Sequence, residues 1–267
     1  NFANNNSSTW GHVYVYDLEE GTNTRVSVDT NGIRANATSS WPAISSDGRY
    51  IAFHSVATNL VNGDNNGRQD VFVYDRLTET TEIISVNSDG SQGNGDSNFP
   101  SISGNGRYVT FSSRAYNLVE DDTNFREDIF IHDRVNGTTT RASLDALGQE
   151  GNSDSFAAQI SADGRYVAFG TDATNLILGG VNSEDGVVVR AVPHVTVSAV
   201  VPDVLPIGTT SPVTISGTNF LPGATPYLNG AQLSNIVIAD ENTITMDITV
   251  LADTPSGVQD VSVGLPG

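Results

Sequence analysis

Asp64, Asn66 and Asp70 stand at positions 1, 3 and 7 of one loop inside NLVNGDNNGRQDVFVYD, residues 59 to 75. Short oxygen-bearing side chains at this spacing, with a turn between them, can surround a hard cation such as Ca²⁺, while backbone carbonyls and water complete the shell. The set returns further along the chain as Asp122, Asn124 and Asp128 in NLVEDDTNFREDIFIHD, which runs from Asn117 to Asp133. A second reading of the same residues is structural. Asp64 and Asp122 then accept backbone N–H bonds in Asx-rich turns, and Asp70 and Asp128 only begin a strand. The third copy holds Gly180, Asn182 and Gly186 at these places and is expected to bind nothing.

Other candidate chemistry is thin. The loop shares its D-x-N opening with an EF-hand, but position 12 carries no glutamate and no helical pattern flanks it. Arg49, Arg107 and Arg165 recur after a turn and are expected to pair with acids such as Asp75 and Asp133, since the planar guanidinium clamps loops well. The Gly-rich runs SDGSQGNG and ALGQEGNS lack the Lys-Ser/Thr and the helix of a phosphate loop. His12, His54, His132 and His194 are scattered, and neither G-x-S-x-G nor H-E-x-x-H occurs. No catalytic activity is expected. Asn5, Asn6, Asn36 and Asn136 lie in N-x-S/T sequons, which permit glycosylation in an exterior compartment.

The elements that position these residues come from a chain of 267 residues, enough for two domains. Thirty-one acidic residues face 12 basic ones, all arginine, for a net charge of −19. That balance opposes binding to phosphate backbones or anionic lipid and favours cations and solubility. There is no Cys, so disulfides and thiolate metal sites are excluded. No apolar run is long enough to cross a membrane as a helix. The sequence starts at Asn1 without Met or a leader, which suggests a processed form or an excerpt of a longer protein.

WPAISSDGRYIAF from Trp41, FPSISGNGRYVTF from Phe99 and AAQISADGRYVAF from Ala157 superpose without a gap at a constant period of 58. HVYVYD, DVFVYD and DIFIHD, from His12, Asp70 and Asp128, follow the same period and fade to GVVVR from Gly186. Gly32, Gly90 and Gly148 recur in register, as do Asn36, Asn94 and Asn152, and the Asn-Leu pairs at Asn59, Asn117 and Asn175. Each unit reads as four short strands, and in the unit from Trp41 an Asp-Gly hairpin turn that needs positive φ joins the first two. Alternation is weak in VFVYD, as expected when both faces of a strand are covered. The count is two whole units, a leading half over residues 11 to 28 and a trailing partial unit over 157 to 190.

AISSDGRYIAF…DVFVYDR resembles the WD-like β-propeller repeat of the TolB type, marked by an S-x-D-G-R-Y-φ-A-F hairpin, over about residues 10 to 192. The units exceed a usual blade of about 40 to 45 residues. They also fall short of the roughly four blades that close a ring. Further blades upstream or a second subunit are the two ways to complete it.

Residues 193 to 267 carry six acids and no basic residue, alternate, and place Pro and Gly clusters between short runs, the pattern of a small β-sandwich. VPDVLP, VTISGTNFLPGA and TPSGVQDVSV resemble the IPT/TIG immunoglobulin-like fold, with its last strand missing at Gly267.

The expected fold class is all-β: propeller-type four-stranded repeats over residues 1–192 and an immunoglobulin-like sandwich over 193–267. The expected function is noncatalytic: a secreted or cell-surface binding or adhesion protein of bacterial type. The TolB resemblance implies a platform for a protein or glycan ligand, and the IPT/TIG resemblance a spacer or adhesive module. Two alternatives stand beside it. One is a self-assembling fibre or surface-layer subunit whose open edges are filled by strands of other copies. The other is an ancillary region of a larger secreted enzyme. Nucleic acid and membrane insertion are not expected.

Overall fold

In every repeat a polar turn separates two short alternating runs, so pairing is local and antiparallel, and sheets build up in chain order. A computed structural model describes residues 10–176, 186–192, 196–218, 220, 224–240, 242–252, 254, 257 and 261–264. Among them every regular element is a strand. Gly180 and Asn182 of the third loop copy, with Asn5, Asn6 and His194, lie outside the described residues. The chain divides into two compact units, residues 1–192 and 193–267.

The first unit opens with a hairpin of β1 (Tyr14–Asp17) and β2 (Thr22–Arg25). A four-stranded sheet follows: β3 (Ser39–Ile44), β4 (Tyr50–Ser55), β5 (Asp70–Asp75) and β6 (Thr80–Ile83), paired in that order. The second repeat copies it with β7 (Ser97–Ile102), β8 (Tyr108–Ser113), β9 (Asp128–Asp133) and β10 (Thr138–Arg141). The third contributes β11 (Ser155–Ile160), β12 (Tyr166–Thr171) and β13 (Gly186–Ala191). These are propeller-type repeats with the period read from the sequence.

Sheets stack face to face, which explains the weak alternation. β5 and β9 are buried at all six positions. Ile51, Phe53, Phe72 and Tyr74 point to the leading hairpin and pack with Val13, Val26 and Val28. Ala52, Val71 and Val73, one residue out of phase, face the second sheet and meet Val109, Phe111 and Phe130. Ile129 and Ile131 repeat the pattern against Val167, Phe169 and Val188 of the third. Fully burying a Phe or Ile contributes about 1.5–3 kcal/mol, so each interface outweighs the few polar bonds that cross it.

Polar bonds set the spacing of the stack. Ser46 N–H donates to Gly104 O at 2.9 Å, and Gly104 N–H to Ala162 O at 2.8 Å, linking the hairpin turns of three repeats. Tyr50 lies against Gly106 of the next turn, and Tyr108 against Gly164. Arg134 closes the same junction, 4.3 Å from the Tyr50 ring centre and bonded to Glu82 Oε1 at 2.7 Å.

The second unit has a four-stranded sheet in the order β14 (Thr196–Val201), β15 (Thr210–Thr218), β18 (Thr243–Val250), β17 (Ala231–Asp240). A two-stranded sheet pairs β16 (Thr225–Leu228) with β19 (Val261–Gly264). Val213, Ile215, Phe220, Ile244, Met246 and Ile248 form its core, and Leu228, Val261 and Val263 of the smaller sheet pack against it.

Two glycines separate the cost of strain from the cost of space. Gly106 has φ +73°, and an added Cβ would lie 2.1 Å from the Tyr50 ring; Gly90 has φ +81° with nothing within 4 Å. Gly90→Ala should cost only the left-handed conformation, about 1 kcal/mol. Gly106→Ala should add overpacking and lose about 2–4 kcal/mol in total. Equal urea midpoints for the two variants would show that the Tyr50 contact does not set the stack.

Candidate functional site

The six residues predicted as metal ligands fall into two wells, one per whole repeat, beneath the loop that enters the third strand. Asp128 opens β9 and is wholly buried. Its Oδ1 accepts the Ser143 hydroxyl, and its Oδ2 accepts Asn124 Nδ2 at 3.0 Å. Arg141, its side chain 4% exposed, brings Nη1 within 3.3 Å of Asp122 Oδ1, 3.4 Å of Asp128 Oδ2 and 2.7 Å of Glu150 Oε1. Its Nη2 donates to Asp121 O at 2.7 Å. Burial pushes the Asp122 carboxyl up to about 6 against the opposing pull of Arg141. Burial also raises Asp128, while Ser143, Asn124 and Arg141 hold it down. Glu150, which burial would raise, is kept low by its Thr123 hydrogen bonds and by Arg141.

The first repeat has the same frame and a different centre. Asp70 is wholly buried, accepts Ser85 Oγ at 2.6 Å and Asn66 Nδ2 at 2.9 Å, and is pushed up to about 6 by burial, with Asp64 and Asp96 adding repulsion. Asp64 is buried too, its Oδ1 has no hydrogen-bond partner, and burial raises its carboxyl. Ile83 and Gln92 take the places of Arg141 and Glu150. Beside them a cleft of ≈ 870 Å³ is bounded by Gly63, Asn66, Ile83, Gln92 and Gly93.

The turn bonds in both wells come from Asn66 and Asn124, not from Asp64 and Asp122, whose carboxylates accept no backbone N–H among the described residues. Each asparagine side-chain oxygen accepts the N–H two residues on, at 2.9 Å from Arg68 and 2.8 Å from Arg126. Each amide donates to the buried aspartate and to a carbonyl, Gly93 O or Gly151 O, both at 3.0 Å. The asparagines therefore present N–H rather than oxygen to the wells. Asp122, Asp128 and Glu150 meet around Arg141, and among the described residues no group of three His, Cys, Asp or Glu is placed to hold a metal ion by itself.

The recurrent arginines form the expected clamps. Arg49 makes a two-pronged pair with Asp75 at 2.8 and 2.7 Å, and Arg107 with Asp133 at 2.9 and 2.7 Å. The third repeat has Ala191 in place of the acid. The recurrent asparagines are staples between loops. Asn59 Oδ1 accepts Asn36 N–H at 2.9 Å, and Asn36 Oδ1 accepts Thr58 N–H at 3.0 Å. Asn94 with Asn117 and Asn152 with Asn175 repeat this exchange.

A second candidate site was not singled out from the sequence. The first strand of each repeat carries a register shift, between Ser40 and Ala43, Asn98 and Ser101, and Phe156 and Gln159. At its centre stand Trp41, Phe99 and Ala157 with φ of 54°, 52° and 55°. Positive φ on a bulky side chain costs of order 1–3 kcal/mol. The bulges turn these side chains into a cleft of ≈ 400 Å³ lined by Trp41, Pro42, Phe99, Pro100, Phe156 and Gln159. Trp41 is 61% exposed and meets the Phe99 ring edge-on at 4.9 Å. The available signal was the recurrent aromatic-Pro pair, because Pro inside a strand marks an edge or a bulge.

A family model, quinohemoprotein amine dehydrogenase, alpha subunit domain III, matches residues 194–266. No curated protein matches the chain. Among solved structures, TolB from Acinetobacter baumannii is 15% identical with a TM-score of 0.41, covering 96% of this chain and 52% of that one. A putative TolB from Agrobacterium tumefaciens is 15% identical at 0.39, covering 96% and 83%. A prolyl endopeptidase is 14% identical at 0.41, covering 96% and 39%. The chain thus spans about half the length of the first of these, 52%.

His54 supports the Phe99 bulge from the preceding sheet. Its Nδ1 accepts Phe99 N–H at 3.3 Å, so it is neutral, with Nε2–H donating to Ser40 Oγ at 2.8 Å. Burial lowers its pKa to about 4, and that of His132 likewise to about 4. Between pH 6.5 and 4 the unfolded chain takes up protons that the folded chain refuses, so stability falls as pH falls through that window. Each histidine accounts for up to roughly 3 kcal/mol of the loss. His54→Gln should flatten the fall measured by urea melts at pH 7, 6 and 5. An unchanged slope would mean that His54 is not held neutral.

Proposed function

We propose that the chain is a noncatalytic binding protein of the cell exterior whose first unit holds a partner protein at the Trp41–Phe99–Phe156 cleft. The observation that carries this reading is the triple bulge. Three repeats each sustain a strained non-glycine residue at one position, and the product is an exposed aromatic edge rather than a better core. The lining favours a protein segment over a glycan. Two aromatic-Pro pairs, Phe156 and Ala157 leave Gln159 as the polar side chain. A glycan needs several donors and acceptors around its stacking ring, whereas an apolar or Pro-rich protein segment does not. The net charge of −19 favours a basic or neutral partner. The second unit is read as an immunoglobulin-like spacer of the IPT/TIG kind, on its two sheets and its VTISGTNFLPGA stretch.

Self-association is a second reading with its own observation. Tyr108, Ile129 and Ile131 of the second sheet are buried by the third, while their equivalents Tyr166, Val187 and Val189 are 44%, 72% and 64% exposed. A face with the same chemistry as the buried interfaces suits another repeat of this kind. Light scattering should then show a mass rising with concentration, abolished by Val187→Glu with Val189→Glu; a monomer at all concentrations removes this reading.

For the cleft, peptide display on the wild type should enrich apolar and Pro-rich sequences. Trp41→Ala should weaken them by about 2 kcal/mol, roughly thirtyfold, with unchanged melting because Trp41 packs no core. Selection of the same peptides by the variant, or ligands from a glycan array that require Trp41, would overturn a protein-binding cleft.

A further inference from the structure

The second repeat shows what its well is shaped to hold. There one guanidinium sits among Asp122 Oδ1, Asp128 Oδ2, Glu150 Oε1 and the Asp121 carbonyl. The matching positions of the first repeat are Asp64, Asp70 and Gln92, so the side-chain oxygens survive, while the Gly63 carbonyl, on a backbone at φ +83°, accepts Gln92 Nε2 at 3.1 Å. Gln92 even keeps the tether of Glu150, accepting Asn65 N–H at 3.3 Å where Glu150 accepts Thr123 N–H at 2.7 Å. The cation does not survive, since Ile83 replaces Arg141. Among the described residues no ion pair reaches Asp64 or Asp70. Asp64 is 9% exposed, and its Oδ1 is buried without a partner.

Buried carboxylates are stable only when paired, metal-bound or protonated. Ile83 is too short to fill the volume of an arginine, and the cleft it borders opens onto Gly63 and Gln92. We infer that one Ca²⁺ binds the first repeat through Asp64 and Asp70, with Gln92 Oε1 and water completing the shell, in the place that the Arg141 guanidinium takes in the second. Oxygen donors without His or Cys select a hard cation, and their irregular arrangement suits Ca²⁺ better than octahedral Mg²⁺. Two carboxylates place the affinity in the range of extracellular modules, about 10⁻⁴ to 10⁻³ M. The inference stands apart from the Trp41 cleft and does not depend on it. It also revises the expectation of two equivalent metal loops, because Asp122 and Asp128 already have their cation.

The test is calorimetric titration of CaCl₂ into the EDTA-treated full chain, with melting temperature as a second readout. One ion per chain is expected, together with a rise in melting temperature. Asp64→Asn and Ile83→Arg should each abolish both, and Ile83→Arg should melt no lower than the EDTA-treated wild type because it brings its own cation. Arg141→Leu, which frees three carboxylates, should add a second ion. No ion in the wild type, two ions in the wild type, or binding that persists in Asp64→Asn would each overturn the assignment. The wild-type stoichiometry decides even if a variant fails to fold.

Discussion

A sheet whose third strand is buried at every position cannot stand alone, and the first unit follows from that constraint. β5 and β9 bury all six of their residues, so each needs a neighbouring sheet on both sides. Odd and even positions of one strand serve two different interfaces, which ties the register of each repeat to that of the next. Once this stacking is fixed, the hairpin turns fall one above another, and Gly104 and Gly106 become contact points rather than free loop residues. The loops into the third strand are likewise held at fixed depth, because Ser85 and Ser143 anchor Asp70 and Asp128 from the following turn. Carboxylates so anchored cannot retreat to water.

That fixed frame is why single substitutions between repeats change chemistry rather than shape. Arg141 and Ile83 occupy the same position, yet one supplies a buried positive charge and the other an apolar wall. Asp75 and Asp133 hold arginine clamps where the third repeat has Ala191. Trp41, Phe99 and Ala157 share one strained conformation, but two carry aromatic rings and the third only a methyl. The strain belongs to the frame and the exposed aromatic surface belongs to the side chain. An ion pair buried as deeply as that of Arg141 contributes little net stability once desolvation is counted. Its value is positional: it fixes three acids without an external ion.

The period and the strands of the repeats were legible because they rest on local signals, alternation and turn residues that recur at one constant spacing. The arginine clamps were legible for the same reason, since Arg49 and Asp75 recur together as Arg107 and Asp133. The wells were legible only in part. Asp64 and Asp70 stood out by spacing, but their contrast with Asp122 and Asp128 depends on position 83 against 141 and 92 against 150, residues remote from the loop in sequence. Which way an amide turns is also invisible in a sequence. Asn66 reads as an oxygen donor, and folding instead presents its N–H to Asp70, because its oxygen is taken by the turn at Arg68.

The aromatic-Pro pairs at Trp41 and Phe99 pointed to a bulge, but its strained conformation was illegible for a different reason. A positive φ at Trp41 or Phe99 contradicts local preference, so no propensity points to it. It exists because the strand must satisfy two demands at once. Ser39 and Ser55 bond at 3.0 Å on one side of the shift, and Ile44 pairs with Ile51 on the other. With one residue too many between those anchors, the excess is absorbed at position 41, and again at 99 and 157. His54 then caps Phe99 N–H at 3.3 Å across the sheet boundary, which satisfies the bulged backbone, and the Phe99 ring packs edge-on against His54 and Trp41. Local frustration tolerated three times at one position is evidence of use. The side chains it exposes are those a core would otherwise have claimed.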